Sequence, residues 1–139
     1  MFRIGIIGAG WIAEKMCDAI APFTDMEIYA IASRTTEKAE AFAAEHNIGK
    51  AYGSYEEMVC DPDIDLVYIA TPHSHHYDHA MLALEHGKPV LVEKAFTANA
   101  MQAEKLIETA RSKGLFITEA IWTRYMPLSH KIREIMESG

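Results

Sequence analysis

The chain has 139 residues, half of them hydrophobic: one domain's worth of sequence, with enough apolar side chains to bury a core of ordinary size. Its formal charge of −7 comes from scattered acidic residues with no basic run, which argues against a nucleic-acid backbone or an anionic membrane as partner. No apolar stretch approaches the roughly 18–20 residues of a bilayer crossing, and Cys17 and Cys60 stand apart without metal-ligand spacing, so the expectation is a cytoplasmic protein, neither exported nor membrane-inserted, with reduced thiols.

The opening run Phe2–Ile7 is too short and too β-branched for a helix, and Gly8 and Gly10 punctuate its end; it reads as a buried parallel strand. A helix opens near Gly10 or Trp11, carries Ile12, Met16, Ala19 and Ile20 at helical spacing, ends near Pro22 and gives way to a strand at Glu27–Ala32. Alanine-rich Thr35–Glu45 is helical by propensity, Lys50–Tyr52 is a short strand, and a further helix opens at Ser54, with Ser54 and Glu57 in capping-box register. Leu66–Ala70 is another buried strand, broken by Thr71-Pro72. Tyr77–His86 is helical and stops at Gly87, and Pro89–Val92 is a strand. The helix Asn99–Lys113 begins with Asn99 and Gln102 in capping-box register and ends at Gly114, before the strand Leu115–Thr118.

After Thr118 the alternation stops: Glu119–Pro127 mixes aromatic and charged residues, and Ser129–Ser138 reads as a helix that ends with the chain. Strands alternating with helices require crossover connections, which are right-handed in nearly all cases. The expected fold is therefore α/β, a doubly wound, mostly parallel sheet with helices on both faces, the Rossmann arrangement.

Gly8-Ala9-Gly10-Trp11-Ile12-Ala13 fits G-x-G-x-x-A at the first strand-to-helix junction, the context in which that pattern carries weight. Gly8 suits the tight turn, Gly10 lets the main chain approach a pyrophosphate, and small Ala13 lets the helix pack closely on the strand. With Ala9, Trp11 and Ile12 they form the candidate phosphate-binding segment, since the helix N-terminus faces the anion.

At the end of the second strand, where an NAD-preferring site places Asp or Glu, the chain has Ser33-Arg34. Arg34 suits a 2′-phosphate, Ser33 and Thr35 are donors beside it, and Lys38 adds positive charge one helical turn on. NADP(H) is the expected cofactor; an Arg34 stacked on adenine needs no phosphate and leaves NAD as the alternative.

His73, His75, His76 and His79 crowd the segment after the fourth strand, with His75 and His79 one helical turn apart. A zinc set needs further ligands, and this edge of the sheet is where the ribose and nicotinamide of a dinucleotide run, so no metal is expected. Glu93-Lys94 ends another strand at the same edge, and the Lys94 ammonium is a candidate to hydrogen-bond a reacting oxygen and to donate the proton that balances hydride transfer.

Taken together, Gly8 to Ala13, Ala70-Thr71-Pro72 with His76, Gly87 to Lys94, and Glu119-Ala120 closely resemble the glucose–fructose oxidoreductase and inositol dehydrogenase (Gfo/Idh/MocA) family along the whole chain. Trp122-Thr123-Arg124-Tyr125-Met126-Pro127 resembles its dihydrodiol dehydrogenase-like branch. The resemblance implies that Lys94 is the catalytic lysine beside the nicotinamide, that Thr71, Pro72, His73 and His76 line the cofactor cleft, and that Trp122 and Arg124 approach the nicotinamide; Glu93, at the same strand end as Lys94, is a further cofactor-binding candidate. It implies an NAD(P)-dependent dehydrogenase acting on a sugar, cyclitol or dihydrodiol, homo-oligomeric at full length.

On this reading residues 1–122 are the nucleotide-binding domain, and 123–139 begin the connection to a second α/β substrate domain absent from this chain. The chain by itself is expected to bind cofactor without turnover. One position departs from the family, which reads Glu-Lys-Pro where this chain has Ala95 after Lys94. That departure and the absent half support an alternative, a non-catalytic NAD(P)-binding sensor or assembly module, whereas Lys94 and the Trp122–Pro127 segment support the enzyme.

Overall fold

The computed structural model describes all 139 residues. In chain order the elements are β1 (Phe2–Ile7), α1 (Trp11–Ile20), β2 (Met26–Ala32), α2 (Thr36–His46), β3 (Lys50–Tyr52), α3 (Tyr55–Val59), β4 (Leu66–Ile69), α4 (His76–Glu85), β5 (Val90–Val92), α5 (Ala100–Lys113), β6 (Ile117–Glu119) and α6 (Pro127–Glu137). Single 3-10 turns at His73–His75 and Trp122–Tyr125 precede α4 and α6. The six strands form one sheet in the order β3-β2-β1-β4-β5-β6, and every pair is parallel. The chain runs outwards from β1 to β3, returns past its start to β4 and runs outwards again, so the order switches between β1 and β4, where such sheets bind ligands.

Alternation along each strand divides the interior into two layers. Ile4, Ile6, Ile31 and Tyr68 pack with Ala13 of α1 and Phe42 and Ala43 of α2, while Ile7, Ala30, Val67 and Ile69 pack with Met58, Ala80, Leu84 and Leu106 of α3, α4 and α5. Each completely buried Ile or Leu contributes about 1.5–3 kcal/mol. Gly5 faces the second layer, where an added Cβ would lie 2.9 Å from Ile64 Cδ1.

Several boundaries differ from the sequence reading, each for a local reason. β6 starts at Ile117 rather than Leu115 because Gly114, at φ 66°, closes α5, and the Leu115 N–H returns to Ala110 O at 2.9 Å, so Leu115 belongs to the helix end. α6 starts at Pro127 rather than Ser129, with the proline at the first helical position, where its missing N–H is harmless. The capping boxes are half formed. Ser54 Oγ and Asn99 Oδ1 accept from the N–H groups of Glu57 and Gln102, but Ser54 donates to Glu56, and Gln102 accepts from Ala98 N. No helix is long and apolar enough to cross a membrane.

Candidate cofactor site

Hydrogen bonds from Gly8 N to Ala32 O (2.9 Å), Ala70 N to Ile7 O (2.9 Å), Glu93 N to Ile69 O (3.1 Å) and Ala120 N to Val92 O (2.7 Å) align the strand ends. The glycine segment, Thr71-Pro72, Glu93-Lys94 and Ala120 therefore share the C-terminal edge of the sheet. Gly8 adopts φ +106°, and a Cβ there would sit 2.9 Å from Ala70 O, so only glycine lets the first loop lie against the fourth strand's end. Gly10 caps α1 without a side-chain bond, and a Cβ on it would meet nothing within 4 Å, which leaves an open cradle in front of the helix. The N–H groups of Ala9, Gly10, Trp11 and Ile12 have no acceptor in the protein. Four free donors at the positive end of a helix fit the pyrophosphate of a dinucleotide.

A cavity of about 490 Å³ opens from this cradle. Its lining includes Gly8, Ala9, Gly10, Trp11, Ile12, Ser33, Arg34, Lys38, Thr71 and Pro72, ten of the residues singled out in the sequence. Ser33 is buried and donates its N–H to Tyr52 O at 3.0 Å; Arg34 and Lys38 are exposed, and neither forms an ion pair within the chain. His75 and His79 of the histidine-rich segment also line it, as does Tyr55, which the sequence did not single out although it follows β3 at the same sheet edge. His79 Nδ1 is 3.0 Å from Thr71 Oγ1, and its ring meets Tyr55 edge-on and stacks with His75. Burial, and then the neighbouring His75, hold the His79 imidazole below its ordinary pKa; burial raises that of Tyr55 against the nearby Arg34.

A second cavity, of about 450 Å³, is mostly apolar and meets the first at Ile12, which lines both. Met16, Ala19, Leu91, Ala120, Trp122 and Tyr125 form its walls, with Lys15, Tyr68, Glu93, Thr118 and Glu119 as polar groups. The Tyr68 hydroxyl donates to Glu93, and burial followed by that carboxylate pushes the phenol pKa up. Glu93 also accepts from Lys94 N at 3.2 Å, and the Lys94–Ala95 peptide is cis.

The remaining expected residues stand apart from both cavities. Lys94, His73 and Arg124 are exposed and line neither. His76 is a correction to the cleft-lining expectation: it is completely buried, with its ring nitrogens on Ala95 O and Thr71 O. It supports the cleft from behind because α4 begins at His76 itself, one residue before the expected start, and points its first side chain inwards. No three His, Cys, Asp or Glu side chains converge as a metal-ligand set, and both cysteines are free thiols.

Comparison with known proteins places the fold in an oxidoreductase family. The model of an oxidoreductase family, with an NAD-binding Rossmann fold, matches residues 2–120. D-xylose 1-dehydrogenase (NADP(+)) of Hypocrea jecorina is 52% identical over 97% of this chain and 38% of its own length. Human trans-1,2-dihydrobenzene-1,2-diol dehydrogenase is 40% identical over 99% of this chain and 42% of its own. The crystal structure of KijD10, a 3-ketoreductase from Actinomadura kijaniata in complex with TDP-benzene and NADP, superposes with a TM-score of 0.90 at 31% identity, covering 99% of this chain and 44% of that one. The chain thus spans about two fifths of the length of the curated relatives it matches.

Proposed function

This chain belongs to the Gfo/Idh/MocA oxidoreductase family, and on that premise we propose that it is the nucleotide-binding part of an NADP(H)-dependent dehydrogenase. The observation that carries the reading is the glycine cradle opening into one cavity with Arg34 and Lys38 and no carboxylate in its lining. In this reading the amides of Ala9 to Ile12 hold the pyrophosphate, and Ser33, Arg34 and Lys38 take the phosphorylated ribose. Tyr55, His75 and His79 wall the same compartment, and the apolar cavity beyond Ile12 receives the nicotinamide end beside Glu93 and Trp122. When bound, the nicotinamide supplies or accepts the hydride at its C4.

Lys94 is the proposed catalytic residue. Its exposed ammonium, at the C-terminal edge of the sheet, donates a hydrogen bond to the substrate oxygen and passes it a proton in reduction, or takes one back in oxidation. The substrate class is a sugar, cyclitol or dihydrodiol alcohol or its carbonyl, supported by the names of the xylose and dihydrobenzenediol relatives. A cytoplasmic, homo-oligomeric full-length protein completes the proposal, with the two free thiols supporting the compartment. The nucleotide-binding part ends after Trp122 in this proposal, a boundary that the family match ending at residue 120 supports.

Calorimetric titration with NADPH and NADH, separately and at one moderate salt concentration, tests this function. Tighter binding of NADPH is the expected result. Equal affinity removes the 2′-phosphate assignment, and binding of neither refutes the nucleotide site.

A further inference from the structure

We propose that His76 is a doubly protonated clasp that positions Lys94 and ties it to the cofactor loop, an inference that rests on the reading of Lys94 given above. The ring is completely buried, and both of its nitrogens are engaged: Nδ1 lies 2.8 Å from Ala95 O and Nε2 2.8 Å from Thr71 O. Both partners are backbone carbonyl oxygens, which only accept. A neutral imidazole carries one N–H and one bare lone pair, so either neutral tautomer sets a nitrogen lone pair against a carbonyl oxygen at hydrogen-bond distance. For a completely buried ring that contact is unfavourable, and only the imidazolium, with two N–H groups, donates to both carbonyls.

The two carbonyls belong to different parts of the site. Thr71 lines the nucleotide cavity, and Ala95 follows Lys94. The turn that carries Lys94 is gripped at three successive backbone groups. Glu93 accepts from Lys94 N at 3.2 Å, His76 donates to Ala95 O, and Glu119 on β6 accepts from Phe96 N at 2.8 Å. Of these three side chains only that of His76 reaches across to the cofactor loop. The titratable neighbours on the surrounding elements are His73, whose ring meets His76 edge-on at 5.3 Å, His79 one helical turn along α4, and Lys94, Glu93 and Glu119 around the turn. With only one N–H the ring could hold only one of the two carbonyls, and the link between cofactor loop and lysine turn would be gone.

Nitrogen-15 labelling of histidine in the intact protein reads the protonation state directly, through long-range proton–nitrogen correlations recorded at neutral pH. The expected result is a His76 signal with both nitrogens protonated. A single neutral tautomer, with one bare nitrogen, overturns the proposal, and this wild-type measurement decides the matter even where a His76 variant does not fold.

In a folded His76→Gln protein the rate of reductive methylation of Lys94 changes severalfold while that of surface Lys105 and Lys113 stays the same; an unchanged Lys94 rate removes the positioning role. NADPH titration of the wild-type sample separates the two readings. Absence of binding overturns the cofactor assignment, while the His76 nitrogens continue to decide the clasp.

Discussion

Arg34 is the side chain on which the proposed preference between two nearly identical ligands rests. It is exposed at the end of β2, free of any intramolecular ion pair, and shares a cavity with Lys38 and the phosphate cradle. A guanidinium pairs with a phosphate through charge-assisted hydrogen bonds and has nothing comparable to offer a ribose hydroxyl. Arg34→Ala should therefore weaken NADPH by roughly 1–3 kcal/mol more than NADH, measured by titration of both cofactors with both proteins. Equal weakening would show that Arg34 stacks on the adenine and does not read the phosphate. Residues of this kind are legible in sequence because their position after a strand end is fixed by the fold. Tyr55 was not legible, since what brings it to the cavity is the packing of α3 against α4, where it meets His79 of the histidine-rich segment. His76 was misplaced for a related reason: sequence gives its position at the head of a helix, and only packing decides whether that side chain faces the cleft or the core.

Among the elements, α2 carries Lys38, one of the two cations proposed to take the phosphorylated ribose, and its start is locked by a residue outside it. Thr35 caps α2 by accepting from Lys38 N, and Gly53, after β3, presses against the first helical residue. A Cβ on Gly53 would lie 2.1 Å from Thr36 Oγ1 and 3.0 Å from Thr36 N. The hydroxyl can rotate away, but the backbone nitrogen cannot. Gly53→Ala should thus destabilise the protein by about 1–3 kcal/mol, as overpacking does. It should also weaken NADPH more than NADH, because the displaced helix start carries Arg34 and Lys38 with it. Urea unfolding and paired cofactor titration check the two effects, and a variant of unchanged stability would mean that α2 moves freely. Element order and type were readable from hydrophobic period and glycine punctuation along the whole chain. The errors fell at ends, where a helix-closing turn took Leu115 from β6 and a proline moved the start of α6.

Over the whole molecule, the parallel sheet has its ligand cleft at one edge, and at its opposite edge a polar network fastens the loop that enters β4. Asp61 in that loop is buried and accepts from Lys50 Nζ at 2.8 Å, Tyr52 OH at 2.7 Å and Asp63 N at 2.9 Å, while Lys88 Nζ holds the Asp61 and Ile64 carbonyls. None of these partners was foreseen from the sequence, because they come from β3, the loop itself and the segment before β5, which meet only once the strand order is known. Burial by itself would raise the Asp61 pKa, but the donors outweigh it and hold the carboxyl at about 2, against an ordinary 3.8. A carboxyl lowered on folding contributes stability that is complete above its unfolded value and is lost as the pH falls through its folded one. The urea midpoint should therefore decline between pH 3.8 and about 2. Asp61→Asn should lower the midpoint at neutral pH, by an amount equivalent to roughly 1–3 kcal/mol, and flatten the decline in that window. A variant whose acid profile parallels the wild type would assign the decline to other carboxylates and leave Asp61 a packing role only.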